Sequence, residues 1–142
     1  MWWFSSSSRA RRRFFRVLTE LSKSDDLAQL SQAEESADTD NDRILIRALY
    51  ANMLWYNHEP SEAVQKFSSL YAEAKRMDGA LAGYIKRFAL YYICLSRGDY
   101  AAAKSHEQNA KSMGIDARVR ILLPIPVIYN VPYSPPSISA SA

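Results

Sequence analysis

Apolar positions recur with a helical period along most of this 142-residue chain. The first such stretch has the i, i+3, i+4, i+7 spacing of one helix face, carried by Phe14, Val17, Leu18 and Leu21. Turn-forming residues interrupt the pattern at intervals. The pattern therefore predicts helices over 9–22, 25–37, 42–57, 60–77, 80–97 and 99–113, then one or two turns over 116–123.

The stretch from Arg87 to Met113 predicts a helical hairpin. Its first apolar run stops at Gly98-Asp99. Gly98 has access to the positive φ that ends a helix, and the Asp99 side chain is suited to cap the next one. Two helices joined by so short a turn fold back antiparallel.

This hairpin resembles a tetratricopeptide repeat, a helix-turn-helix unit that stacks into a solenoid. The resemblance rests on residues at that family's spacing: Leu90, Gly98, Tyr100, Ala103 and Ala110. It implies that Leu and Tyr pack between the two helices, that Gly opens the turn and that the alanines allow close approach. The chain departs from the family at three positions. Tyr91 stands where a small residue is usual, Cys94 where an aromatic residue is usual, and Glu107 where the family has Phe.

A second copy of the pattern covers residues 48–74, with matches at Tyr50, Ala51, Ala63 and Phe67. His58 stands in place of the turn Gly, and Pro60 in place of the aromatic residue. Pro suits the first turn of a helix. Ala63 and Ala103 are 40 residues apart, against about 34 in the standard repeat. The helices are therefore expected to be longer than standard.

These patterns predict an all-α protein of antiparallel helical hairpins, stacked as a short tetratricopeptide-like solenoid. We expect an irregular N-terminal arm over 1–8, a helical-repeat domain over 9–123 and a proline-rich extended tail over 124–142. The tail has five prolines, which exclude a helix and favour polyproline II structure. We expect a loosely packed or mobile tail, whose apolar residues either pack along the groove of the solenoid or contact a partner.

The resemblance also implies a binding site. In the tetratricopeptide family the first helices of successive repeats line a concave groove. Tyr and Arg are the residue types enriched in binding hot spots. The expected groove residues are Arg47, Asn52, Tyr56, Tyr84, Arg87 and Tyr91.

Charge is segregated near the N-terminus. Residues 1–19 contain five arginines and no acid, whereas residues 24–42 contain seven acids and no base. Either the two segments face each other in the fold, or each faces a different partner. The arginines predicted on the polar side of the first helix, a basic arm, are Arg9, Arg12, Arg13 and Arg16.

The basic amphipathic helix has three interpretations. It is the first helix of a hairpin with a solvated polar face, a mitochondrial targeting segment, or a helix on an anionic membrane surface anchored by Trp2, Trp3 and Phe4. Nucleic-acid binding through the same arginines is a further alternative. We expect a cytoplasmic protein, with a mitochondrial location as the alternative.

Catalytic and metal-binding patterns are missing from the sequence. The glycines form no phosphate-binding loop, no Ser has the flanking Gly of a nucleophile elbow, and His58 and His106 lack neighbouring ligands at metal-binding spacing. The lone Cys94 lies in an apolar run and is expected to pack as a small hydrophobe. We expect no catalytic residue, no metal, no cofactor, no small-molecule substrate and no membrane-spanning helix.

The function expected from the sequence is a non-catalytic protein- or peptide-binding module, an adaptor or scaffold that uses the groove. The first alternative is association with an anionic membrane or a nucleic acid through the arginine helix. The second is a helical protein whose repeats serve only its own fold, with self-association through unsealed ends.

Overall fold

The computed structural model describes residues 8–128, which contain seven helices and no strand. The helices are α1 (Ser8–Ser24), α2 (Leu27–Glu35), α3 (Asp40–Asn57), α4 (Pro60–Lys75), α5 (Ala80–Ser96), α6 (Tyr100–Lys111) and α7 (Ala117–Leu122). The all-α prediction is confirmed. The expected arm before Ser8 and residues 129–142 of the expected tail lie outside the described residues.

The turns follow the local signals closely. Gly98 has a φ of +72°, and Asp99 accepts a hydrogen bond from the Ala102 amide at 3.2 Å at the start of α6. Two helix starts differ from the prediction. The N-cap of α2 is Asp26, so this helix starts two residues later than the predicted residue 25. The start of α3 lies two residues earlier than expected because the Thr39 hydroxyl accepts the amide of residue 42 and caps the helix there.

Each helix from α1 to α5 packs against the next one along the chain. In addition, α3 contacts both α1 and α5, so the first helices of successive hairpins lie side by side. The last helix, α7, returns to contact α1. Because α3 touches four other helices, it is buried on nearly all sides, as its apolar sequence predicts.

The aromatic core lies where α4 meets α5. The rings of Phe67 and Tyr92 stack at a centroid distance of 4.7 Å, and Phe88 packs edge-on against both, at 5.7 and 5.2 Å. All three side chains are fully buried. Such ring pairs stabilise a fold by about 0.5–1.5 kcal/mol each beyond the area that they bury.

The buried face of α1 is rotated slightly from the predicted one. Leu18 and Leu21 face the core as expected, but Val17 is 47% exposed and Phe15 is buried. The Arg118 guanidinium of α7 lies over the Phe15 ring at 4.5 Å. A residue of α7, from the far end of the chain, therefore covers part of the Phe15 ring.

Candidate functional site

The C-terminal residues of the described chain lie against one face of α5 and α6. On α5, Tyr84 donates a hydrogen bond to the Leu123 carbonyl at 2.7 Å, and Tyr91 donates to the Pro126 carbonyl at 3.0 Å. The two tyrosines are seven residues apart and so share one side of the helix. They bind main-chain atoms, which every peptide offers.

The neighbouring helix α6 holds the next part of the same segment. Lys104 donates to the Ile128 carbonyl, and the Glu107 carboxylate accepts from the Ile128 amide at 3.5 Å. These residues are one helical turn apart and face the same way. We call the surface formed by Tyr84, Tyr91, Lys104 and Glu107 the α5–α6 face.

The spacing of the contacts matches an extended peptide. Seven helical residues from Tyr84 to Tyr91 rise about 10.5 Å, and three residues of polyproline II chain rise about 9 Å. The segment from Leu123 to Pro126 therefore advances by nearly the same distance as α5 does from Tyr84 to Tyr91, and the two run in the same direction. Secondary-structure hydrogen bonds are absent from 124–128, and the side chains of the α5–α6 face satisfy part of that backbone instead.

Burial makes the two tyrosine hydroxyls of the α5–α6 face harder to deprotonate. Burial raises the pKa of Tyr84 to about 12, and burial followed by the nearby Tyr56 and Glu107 raises the pKa of Tyr91 to about 12. Both hydroxyls are therefore protonated donors at neutral pH. The Glu107 side chain is almost completely buried and forms an ion pair with Lys111 at 3.1 Å, which offsets the cost of burying its charge.

Tyr56, another expected groove residue, lies at the end of α3 and is 54% exposed. Its hydroxyl forms a hydrogen bond of 2.9 Å with that of the buried Tyr92. The Tyr92 ring packs edge-on against Tyr91 at 4.9 Å. The structure therefore links Tyr56 to Tyr91 through one shared neighbour.

Arg47 and Arg87 lie in two surface depressions instead of contacting the C-terminal segment. Arg47 forms ion pairs with Glu34 of α2, at 2.8 Å, and with Glu73 of α4. It lines a depression of about 490 Å³ among α2, α3 and α4. Arg87 lines a depression of about 470 Å³ among α4, α5 and α6 and donates to Nδ1 of His106 at 3.0 Å.

Several residues that line the two depressions are separated by the same interval along the chain. Five lining residues of the first have a lining residue of the second 40 positions later, in the pairs Ser31 and Tyr71, Arg47 and Arg87, Tyr50 and Leu90, Ser69 and Asn109, and Glu73 and Met113. Their chemistry differs, because Glu73 in the first corresponds to Met113 in the second. The two depressions therefore share an arginine at corresponding positions, but the acid that pairs with Arg47 has no counterpart beside Arg87 at that interval.

Asn52 completes the set of expected groove residues. Its Oδ1 atom is buried and has no hydrogen-bond partner among residues 8–128. The structure therefore brings Tyr84, Tyr91 and Tyr56 into one region and separates them from Arg47 and Arg87.

The basic arm is exposed on α1. The side chains of Arg9, Arg12, Arg13 and Arg16 face water, and none of them takes part in an ion pair among the described residues. Arg11 instead points inward and pairs with Asp42 at 2.7 Å, so the basic and acidic segments meet at this contact. Association of the exposed arginines with an anionic surface stays a prediction.

Two residues of the α5–α6 face were not expected from the sequence, Lys104 and Glu107. One signal was available for Glu107, because an acid stands where the repeat family has Phe. The structure accounts for that departure, since the carboxylate faces the Ile128 amide. Lys104 carries no signal in the pattern, because its role depends on where the C-terminal segment lies.

Cys94 is partly buried, and burial followed by the nearby Asp99 raises the pKa of its thiol. Residues 8–128 contain no cluster of three or more metal-ligating side chains. Over the same residues, every helix is too short or too polar to cross a membrane.

Comparison with protein families, curated proteins and solved structures found no match to this chain. The structure and its chemistry are therefore the basis for the function proposed below.

Proposed function

We propose that this chain is a non-catalytic protein- or peptide-binding module, built as a short tetratricopeptide-like array. The observation that carries the proposal is the extended segment held on the α5–α6 face. Four side chains there contact main-chain atoms of residues 123–128. A surface that holds one extended segment in this way has the chemistry to hold another of similar shape.

The repeat architecture is supported by two features of the structure. The short connections between α3 and α4 and between α5 and α6 join helices that pack on each other, which is the arrangement of a helical hairpin. Several residues that line the two surface depressions are 40 positions apart, the same interval that separates Ala63 from Ala103. Stacked hairpins bury a continuous core, and here all seven helices contribute to one buried cluster.

Hydrogen bonds and apolar contacts have different roles on the α5–α6 face, and this combination favours peptide binding. Hydrogen bonds to main-chain carbonyls provide affinity that depends little on the sequence of the ligand, and apolar contacts provide selectivity. Tyr91 and Lys104 are the donors nearest to the end of the described chain. Tyr56 is exposed next to this region and extends the aromatic surface.

The test is a selection of short peptides from a displayed random library on the immobilised full-length chain. The best binder is then titrated into isotopically labelled protein, and backbone amide shifts are followed by NMR. We expect the largest shifts on the α5–α6 face, around Tyr91 and Lys104. The amides of Tyr50 and Lys66, in the α3–α4 depression, are the internal control and should change little.

A library that yields no binder would contradict the proposed function. Shifts centred on Tyr50 and Lys66 would contradict the assignment of the binding surface to α5 and α6.

A further inference from the structure

Residues 123–128 lie on the α5–α6 face, and the helices do not enclose them. Leu123 and Ile125 are buried, whereas Pro124, Pro126 and Val127 face water. The segment therefore rests on the surface of the helices by one edge. An edge contact of this kind is open to competition from another chain of the same shape.

The α5–α6 face offers mostly donors, and the segment offers mostly acceptors. Tyr84, Tyr91 and Lys104 each donate to a carbonyl, and Glu107 is the acceptor among the four. Proline has no amide hydrogen, so the two prolines of the segment leave no donor unsatisfied on this surface. The face is therefore complementary to backbone that contains proline.

Some contacts of the segment are three residues apart. The carbonyls bound by the tyrosines belong to Leu123 and Pro126, and the side chains of Ile125 and Ile128, both at least partly buried, have the same spacing, while Leu123 is buried as well. Three residues is the period of the polyproline II helix, which places such positions on one edge. An α-helical ligand rises only about 4.5 Å over three residues, which does not match the rise of about 10.5 Å from Tyr84 to Tyr91, and its carbonyls already accept hydrogen bonds within the helix.

We infer that the ligand of the α5–α6 face is an extended, proline-containing peptide with apolar residues three positions apart. Residues 123–128 occupy the site as an intramolecular competitor. This inference rests on the binding role proposed above. A tethered segment competes at an effective concentration of about millimolar. An external ligand binds only the fraction of molecules whose face is open, so its apparent affinity is lower than its intrinsic affinity by that fraction.

The test uses the full chain and a fluorescent synthetic peptide with the sequence of residues 121–130, ILLPIPVIYN, followed by anisotropy. Ile125→Asp places a charge at the buried position of residue 125. It therefore weakens the binding of residues 123–128 to the α5–α6 face. Val127→Asp makes the same chemical change two residues on, at a position 42% exposed. We expect the probe to bind Ile125→Asp at least about tenfold more tightly than wild type, and Val127→Asp within about twofold of wild type.

Two probe peptides test the class of ligand. A scrambled peptide and a peptide with Asp at the position of Ile125 should both bind Ile125→Asp at least about tenfold more weakly than the matched probe. If circular dichroism shows that Ile125→Asp has lost helix, Ile125→Ala takes its place, with a smaller gain in the same direction.

The matched probe could bind the Ile125 variant as tightly as wild type, or more weakly. Either result would contradict competition by residues 123–128 and would leave the proposed binding function in place. Equal binding of the scrambled probe would overturn the ligand class. Failure of any probe to bind any variant would overturn this inference, and the peptide selection described above decides the proposed function separately.

Discussion

At the scale of single residues, the ion pair between Arg11 and Asp42 shows how position decides the role of a charge. The guanidinium donates two hydrogen bonds to the carboxylate, at 2.7 and 3.1 Å, and joins α1 to α3. The two side chains are only 12% and 7% exposed. The next residue along α1, Arg12, has the same chemistry but faces water.

Replacing Arg11 should therefore destabilise the fold far more than replacing Arg12. Arg11→Met removes the guanidinium that donates both of these hydrogen bonds to the buried Asp42 carboxylate, and we expect a loss of about 3 kcal/mol in the free energy of unfolding. Arg12→Met, the matched control, should change it by less than about 0.5 kcal/mol. Urea unfolding followed by circular dichroism measures both. Equal losses would show that the buried pair does not stabilise the protein.

At the scale of helices and turns, the link between α5 and α6 depends on one backbone conformation. Gly98 has a φ of +72°, in the region that L-residues with a side chain rarely adopt. Apart from Gly98 itself and its two chain neighbours, residues 8–128 place no atom within 4 Å of the position that a Cβ on Gly98 would take. The requirement for glycine there is therefore conformational and not steric.

Gly98→Ala should accordingly cost about 1–2 kcal/mol of folding free energy through backbone strain. Gly114→Ala is the matched control, because a Cβ there also meets open space and the residue does not have a positive φ. The control should show no loss of stability, since Ala restricts the unfolded chain. Chemical denaturation of the two variants compares them directly, and an equal effect would contradict the conformational explanation.

At the scale of the whole molecule, the C-terminal region joins elements that are distant in sequence. The Arg118 guanidinium contacts the Phe15 ring of α1, and the Arg120 guanidinium lies over the Tyr84 ring of α5 at 5.5 Å. Residues 123–128 then continue along α5. Two tyrosine hydroxyls donate the hydrogen bonds that hold residues 123–128 on α5. We therefore expect this contact to weaken at alkaline pH.

We expect the protein to lose stability between pH 10 and about pH 12. The pKa values of Tyr84 and Tyr91 rise from the ordinary 10.0 to about 12 in the folded state, with burial as the main cause. Their contribution is fully present below the unfolded pKa and is lost as the pH rises through the folded pKa. Melting temperatures measured across this range test the expectation.

The Tyr91→Phe variant should flatten this pH dependence, because it removes one of the shifted groups. Tyr50→Phe, on α3 beside Lys66, is the matched control and should keep the wild-type slope. Identical slopes for wild type and Tyr91→Phe would contradict a role for the Tyr91 hydroxyl.

The hairpin signals were predictable because they act over a few residues. Gly98 and Asp99 end one helix and cap the next through contacts within one turn, and Pro60 begins α4 at its first position. Of the candidate site, the sequence indicated Tyr84 and Tyr91 but placed Arg47 and Arg87 with them. Helical period alone does not show which side of a doubly buried helix another part of the chain will cover.

Helical period, caps and the positive-φ glycine were enough to determine the helices and their pairing, because each depends on neighbours close along the chain. The partner of Arg11, the burial of Phe15 and the covering of α5 by residues 123–128 were determined by the folded arrangement. Each of these joins residues 31 or more positions apart. Such contacts depend on how the helices pack against one another, and no local pattern encodes that geometry.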